Sequence, residues 1–147
     1  MAVTILYISP ELYSTKIAVS EDEKKVYQCE INHSGEDFLL FENNIEQLPF
    51  RRDAIVDRLR KDGINLKSIK FVASEGGLLK PCQSGVYQID KNMIGDLIDG
   101  IGGNDIINLG GMIAFTIANS LNVKSFLVEP SSVDERSAAY IACGLAA

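Results

Sequence analysis

Cysteine is scarce in these 147 residues and odd in number. Cys29, Cys82 and Cys143 are far apart, without the close Cys-x-x-Cys spacing of a zinc knuckle or redox centre. A chain of this length buries about two thirds of the surface that its unfolded form exposes, so it needs no disulfide staples. The three thiols read as small hydrophobes in a reducing cytoplasm, and no metal site is expected. Long apolar runs are lacking too: the longest, residues 112–118, is interrupted by Thr116 and falls far short of the roughly 20 residues that span a bilayer. The chain enters its first apolar stretch with no basic segment before it, which does not read as a secretory leader. Positive charge is in deficit, with 14 Lys and Arg against 20 Asp and Glu and a net charge of −6. Binding a phosphate backbone draws on clustered cations, so a nucleic-acid groove is not expected, nor is a membrane surface. No internal repeat or low-complexity linker divides the chain, and residues 1–147 read as a single domain.

What is present is a change of period. Residues 3–8 (V-T-I-L-Y-I) form a β-rich run that Pro10 is expected to end. Residues 15–20 alternate polar and apolar, Glu21 to Lys24 make a charged turn, and residues 25–31 alternate again with Tyr27, Cys29 and Ile31 on one side. That predicts an antiparallel three-strand meander. Helical spacing follows: Ser34 can cap a segment containing Glu36, Phe38 and Leu39, and residues 50–61 place Ile55, Val56 and Leu59 on one face before Gly63. Residues 68–74 read as a strand and residues 75–87 as a long loop. A helix is expected from Asp90 to Gly100, a largely apolar one from Asn108, a strand over residues 124–129, and an Ala-rich segment from Asp134 to Gly144. The sum is an α/β domain: a mixed sheet with helices on its faces.

Some features read as structure alone. His33, the chain's single histidine, sits at a strand-to-helix junction and reads as a structural or half-exposed imidazole rather than a general base. Arg51, Arg52, Arg58, Arg60 and Lys61 interleave with Asp53, Asp57 and Asp62, the pattern of a solvated helix face. Gly102-Gly103-Asn104 lacks the preceding strand and third glycine of a dinucleotide fingerprint and reads as a turn.

The most informative string is Ser9-Pro-Glu-Leu-Tyr-Ser-Thr-Lys16. It resembles the Asn-Pro-Gly-Ser-Thr-Ser-Thr-Lys turn of butyrate kinases and their acetate kinase relatives, which have the actin-like, ribonuclease-H-type fold. Lys16-Ile-Ala-Val, Glu21-Asp-Glu-Lys24, His33-Ser34, Phe50-Arg-x-Asp-Ala-Ile55, Gly76-Gly-Leu-Leu-Lys-Pro81, Gly85-x-Tyr87, Asn108-Leu-Gly-Gly111 and Val133-Asp-Glu135 follow in the same order. The resemblance covers essentially the whole chain, but only the N-terminal half of such an enzyme. It implies an N-terminal lobe whose family uses ATP and Mg to phosphorylate a short-chain carboxylate. The lobe that grips adenosine is not part of the match.

By resemblance, the phosphate- and substrate-facing positions are Ser9, Ser14, Thr15, Lys16, Gly76, Gly77, Lys80, Asn108 and Gly110. Two positions where the family supplies catalytic or anchoring groups have changed chemistry: Glu75 replaces an arginine and Asp105 lies where a histidine is expected, while Glu129 replaces an aspartate and keeps its carboxylate with one more methylene. Glu11 replaces the glycine of the first turn. A carboxylate about 4 Å from a phosphate oxygen costs about 1 kcal/mol in bulk water and about 4 at an effective dielectric near 20. The resemblance therefore implies a kinase-like lobe that by itself does not turn over. The alternatives are a binding module that pairs with itself or with a complete kinase, and a residual anion binder using Lys16, Lys80 and the backbone near Gly76. Leu12, Tyr13, Leu78, Leu79 and Val86, apolar residues in expected loops, are the candidate surface for a homo-oligomer or a second kinase lobe.

Overall fold

Alternation of side chains builds the first third of the chain into a meander. In the computed structural model, which describes residues 3–75, 86–99, 106 and 108–128, strands β1 (Thr4–Pro10), β2 (Ser14–Glu21) and β3 (Lys24–Asn32) pair antiparallel in sequence order. On β3, Tyr27, Cys29 and Ile31 turn toward the core while Val26, Gln28 and Glu30 remain exposed. The β2–β3 connection is a two-residue turn in which Asp22 (φ 47°) and Glu23 (φ 73°) are both left-handed. That conformation matches strand twist, and Asn-Gly serves it best. Asp22 is held there because its carboxylate accepts the Val3 N–H at 2.9 Å.

Beyond the meander, α1 (Gly35–Phe38) is a single turn capped by Ser34, with Leu39 just past its end. Helix α2 (Leu48–Lys61) begins two residues before the expected start, with Pro49 in its first turn, where a missing N–H costs nothing. It ends as expected: Gly63, at φ 79°, donates to the Arg60 carbonyl while Ile64 donates to that of Leu59. Strand β4 (Ile69–Glu75) runs parallel to β1, and β6 (Lys124–Val128) runs parallel to β4. Between them lie β5 (Val86–Gln88), α3 (Lys91–Asp99) and α4 (Asn108–Leu121). The sheet order is β3-β2-β1-β4-β6-β5, with β5 antiparallel to β6.

Helices α2 and α4 pack on the same face of this sheet, with α3 against α4. Leu6, Ile8, Ile17, Val72 and Leu127 from the strands meet Ile55 and Leu59 of α2 and Leu109, Ile113 and Ile117 of α4 in one buried cluster. Each fully buried aliphatic side chain contributes about 1.5–3 kcal/mol. The opposite face carries a smaller cluster of Ile5 and Ala73 with Tyr7 and Phe71, and the Phe71 ring stands edge-on to Phe126. No described helix is long and apolar enough to cross a membrane.

One expectation about the elements is corrected: residues 86–88 are an edge strand rather than loop, so Val86 is a half-buried strand residue. Pro10 is the last residue of β1, as expected, paired with Thr15. The described part of the last strand ends at Val128. Gly76, Gly77, Leu78, Leu79, Lys80, Asp105 and Glu129 lie outside the described residues, as do Gly102 to Asn104, Cys82, Cys143 and the segment expected from Asp134.

A non-glycine residue in the left-handed region costs about 1–2 kcal/mol. Glu23→Gly is therefore expected to raise stability by about 1 kcal/mol, read as a higher urea midpoint at unchanged m-value.

Candidate functional site

The β1–β2 turn is built on a buried cation. Arg51, in the first turns of α2, is fully buried, which corrects its expected place on a solvated face. Its Nη2 donates to the Leu12 carbonyl at 3.0 Å and its Nη1 to the Ser14 carbonyl at 2.8 Å and to Thr15 Oγ1 at 3.0 Å. Nε donates to Gln47 Oε1 one helical turn back, and the guanidinium lies 5.2 Å from the centre of the Phe38 ring. A buried charge is tolerated when every donor is used. Here the planar fork meets neutral oxygens from three successive parts of one turn, which a point-like ammonium cannot do. Burial pulls the guanidinium down to about 10, so it stays cationic at neutral pH.

His33 closes the same turn from just past the end of β3. Its backbone N–H donates to the Tyr13 carbonyl at 2.8 Å, and its Nε2 lies 2.8 Å from Thr15 Oγ1. The imidazole is buried, edge-on to Phe50 and tilted against Phe38. Burial, then the Arg51 charge, pushes its pKa below the ordinary value, while Asp37 pulls weakly the other way. The carbonyls of Leu12, Tyr13 and Ser14 are thus all held from within. Because the Leu12–Tyr13 peptide is flat and trans, the Tyr13 N–H points away from the guanidinium.

The sheet separates the candidate residues. Strand pairing lines up Glu30, Lys16 and Ser9 in one transverse row, and Ile8 opposite Ser74 sets Ser9 beside Glu75. Ser9 Oγ donates to Glu75 Oε1 at 3.1 Å. Lys16 Nζ pairs with Glu11 Oε1 at 3.0 Å, with both side chains about half exposed. The hydrogen bond and charge of Glu11, then the charges of Glu30 and Glu75, raise the Lys16 pKa. Ser9, Glu11, Lys16, Glu30 and Glu75 all line one cleft of about 650 Å³. Lys25 lines the same cleft, so two ammoniums face three carboxylates there and the acidic side keeps a small excess.

Thr15 is instead buried beneath the turn, and Ser14 is buried with its carbonyl on Arg51. Asn108 opens α4 and lines a second cavity, of about 400 Å³, with Asn43, Leu97 and Met112. Gly110 is where α4 crosses the sheet. A Cβ there would stand 2.1 Å from Ser74 Oγ and 3.1 Å from Pro10 Cδ, so only glycine lets the helix lie this close to the ends of β1 and β4. The structure thus brings Ser9, Lys16 and Glu75 together, holds Ser14 and Thr15 below them, and assigns Gly110 to packing. The described residues contain no group of three or more His, Cys, Asp or Glu placed to hold a metal ion. Where Mg-ATP is concerned, the described lining offers two ammoniums, Lys16 paired with Glu11 and Lys25 donating to Gln28 Oε1, against three carboxylates.

Sequence reasoning missed Arg51, although the signal was there. Arg51, Ile55 and Leu59 recur every four residues and are the buried residues of α2. The charge belongs to the apolar stripe.

The fold defines a class: a ribonuclease-H-like, actin-like α/β domain. The chain superposes on the crystal structure of acetate kinase from Entamoeba histolytica with a TM-score of 0.54, at 12% identity, over 86% of this chain and 36% of that one. That likeness concerns the fold alone. In sequence it is 39% identical over 131 residues to butyrate kinase 1 of Clostridium acetobutylicum and 39% identical over 135 residues to butyrate kinase 2 of the same organism. The alignments cover 89% and 92% of this chain but 37% and 38% of those kinases. The chain is a homologue of the N-terminal lobe of butyrate kinases and spans little more than a third of their length. No family model matches it.

Two outcomes test this geometry. Arg51→Met should cost about 3–5 kcal/mol, because it leaves buried carbonyls without donors, and Arg51→Lys should recover less than half of that. Gly110→Ala should cost about 1–3 kcal/mol, partly relieved by Ser74→Ala in a double-mutant cycle of denaturation midpoints.

Proposed function

We propose that this chain is a butyrate-kinase-like lobe. Its family chemistry is ATP-dependent phosphoryl transfer to a short-chain carboxylate, and it does not carry out that transfer by itself. The homology to butyrate kinases supports the lineage. The observation that carries the inactive reading is the Glu11–Lys16 ion pair beside Glu75. Phosphoryl transfer gathers negative charge in the transition state and depends on cations and N–H donors aimed at it. In this cleft Lys16 is already paired, and Glu30 and Glu75 stand beside it.

A second reading, an association module, is favoured by the apolar surface at the same turn. Leu12 and Tyr13 are 60% and 57% exposed, and Leu39 and Leu40 are each 83% exposed. The Tyr13 ring stacks on Phe38 at 5.9 Å, which joins the turn to the end of α1. Under this reading the partner is a second kinase lobe or another copy of the chain, engaged through Leu12, Tyr13, Leu39 and Leu40.

The two readings separate in one set of experiments. The chain incubated with Mg-ATP, butyrate and hydroxylamine should give no acyl hydroxamate above the blank; a signal would end the inactive reading. Glu11→Gly combined with Glu75→Arg should raise inorganic phosphate affinity at least about tenfold, the worth of removing one like charge and adding a bidentate cation. Unchanged affinity would place the phosphate-facing surface elsewhere. Light scattering that shows a monomer at every concentration, with no binding to a complete butyrate kinase, would remove the association reading.

A further inference from the structure

Thr15 Oγ1 stands between two nitrogen groups, Arg51 Nη1 at 3.0 Å and His33 Nε2 at 2.8 Å. A guanidinium nitrogen can only donate, so Thr15 accepts from Arg51. The hydroxyl has one proton to give, and His33 Nε2 is the partner at hydrogen-bond distance. If Nε2 carried its own proton, both neighbours would be donors and the Thr15 proton would need another acceptor in a buried site. Taken together these contacts determine which imidazole nitrogen is bare.

We propose that His33 is a positioning residue for the β1–β2 turn, acting through Thr15, and that it does so only as the neutral imidazole protonated on Nδ1. Protonation would direct two cationic donors, His33 Nε2–H and Arg51 Nη1–H, at one hydroxyl oxygen, and the Thr15–His33 bond in its present sense would be lost. The same Arg51 holds the Leu12 and Ser14 carbonyls, so any shift of the guanidinium passes straight to the turn.

Every element packed on the ring bears on this balance. Arg51 of α2 opposes protonation, Asp37 of α1 favours it, and Phe38 and Phe50 exclude water. Strand β2 contributes the Thr15 hydroxyl. Burial and Arg51 outweigh Asp37, so the ring gains its proton below the ordinary imidazole value of about 6.5. The sign follows: stability from the neutral ring is fully present above that value and is lost as pH falls through the folded-state pKa. The turn is therefore tight at neutral pH and loosens in acid. The consequence for phosphate binding rests on the reading proposed above, whereas the tautomer and its coupling to the turn do not.

The chain has one histidine, so its imidazole signals are unambiguous in a nitrogen-15-labelled sample of the full chain. Long-range proton–nitrogen correlation at pH 7.5 is expected to show Nδ1 protonated and Nε2 bare. On titration to pH 5 the ring should pick up its proton below about 6.5, and the backbone amides of residues 12–15 should shift with the same midpoint. Thr15→Val should move the ring midpoint upward by about 0.5–1 unit, the worth of one buried neutral hydrogen bond, and Thr15→Ser should restore it. An Nε2-protonated ring at pH 7.5, or turn amides that ignore the ring's titration, overturns the proposal from the unmodified chain alone, whether or not the variants fold. Absence of acyl phosphate formation leaves these signals unchanged, so failure of the kinase reading and failure of this one are distinguishable.

Discussion

A guanidinium sits inside the hydrophobic core, and much of the N-terminal half is arranged so that it can. Among the described residues, Arg51 has no carboxylate hydrogen-bond partner. Its donors go to Gln47, to the carbonyls of Leu12 and Ser14, and to the Thr15 hydroxyl. Moving such a charge out of water costs several kcal/mol even after relaxation, and only a full set of hydrogen bonds offsets this. The turn cannot move without stranding the cation, and α2 cannot move without stranding the turn. That mutual constraint couples the first hairpin to the helix layer. It also explains why Phe38 and Phe50 gather where they do: they seal the site and place a ring face near the guanidinium.

Seen from this anchor, the sheet works as a partition. Alternation sends Thr15 to the helix side, where Arg51 holds it, and sends Ser9, Lys16 and Glu75 to the other, where they line the cleft. Residues adjacent in the chain therefore answer to different demands. Those on the helix side determine whether the turn exists. Those on the cleft side set its electrostatic character, and here three carboxylates outnumber two ammoniums.

Strands β2 and β3 were legible because polar and apolar residues alternate along them, and β1, buried on both faces, was legible as a continuous β-rich run. Gly63 was legible as a helix end because its backbone must be left-handed. Strand β5 was not, since three residues carry too little pattern and its pairing is dictated by β6. Arg51 was obscured by counting charges: its neighbours Arg52, Asp53 and Asp57 are those of a solvated face, while its own spacing to Ile55 and Leu59 is that of the core. The helical period carried the information and the residue type contradicted it. The row of Glu30, Lys16, Ser9 and Glu75 was half legible. The chemistry of each position could be read, but the alignment across four strands follows from register, which no single strand encodes.

The partition also bears on how a lobe of this kind can keep its fold while its cleft changes character. Glu11 would be a liability in a turn facing phosphate, yet Lys16 lies one strand across and pairs with it at 3.0 Å. Both side chains are about half exposed, and an ion pair at such a surface contributes little to stability. Its importance is therefore chemical rather than thermodynamic, because it occupies the cation without adding much stability. Stability of the turn comes from the other side of the sheet, through Arg51, His33 and Thr15, which a carboxylate at position 11 does not touch. Substitutions on the cleft side can accumulate at little cost to folding, whereas a change at Arg51 takes the donors from the turn's buried carbonyls. Under the proposed reading, persistence of the kinase-like hairpin says that its helix-side anchor has been kept. Whether phosphate is welcome depends on a different set of residues, on the opposite face.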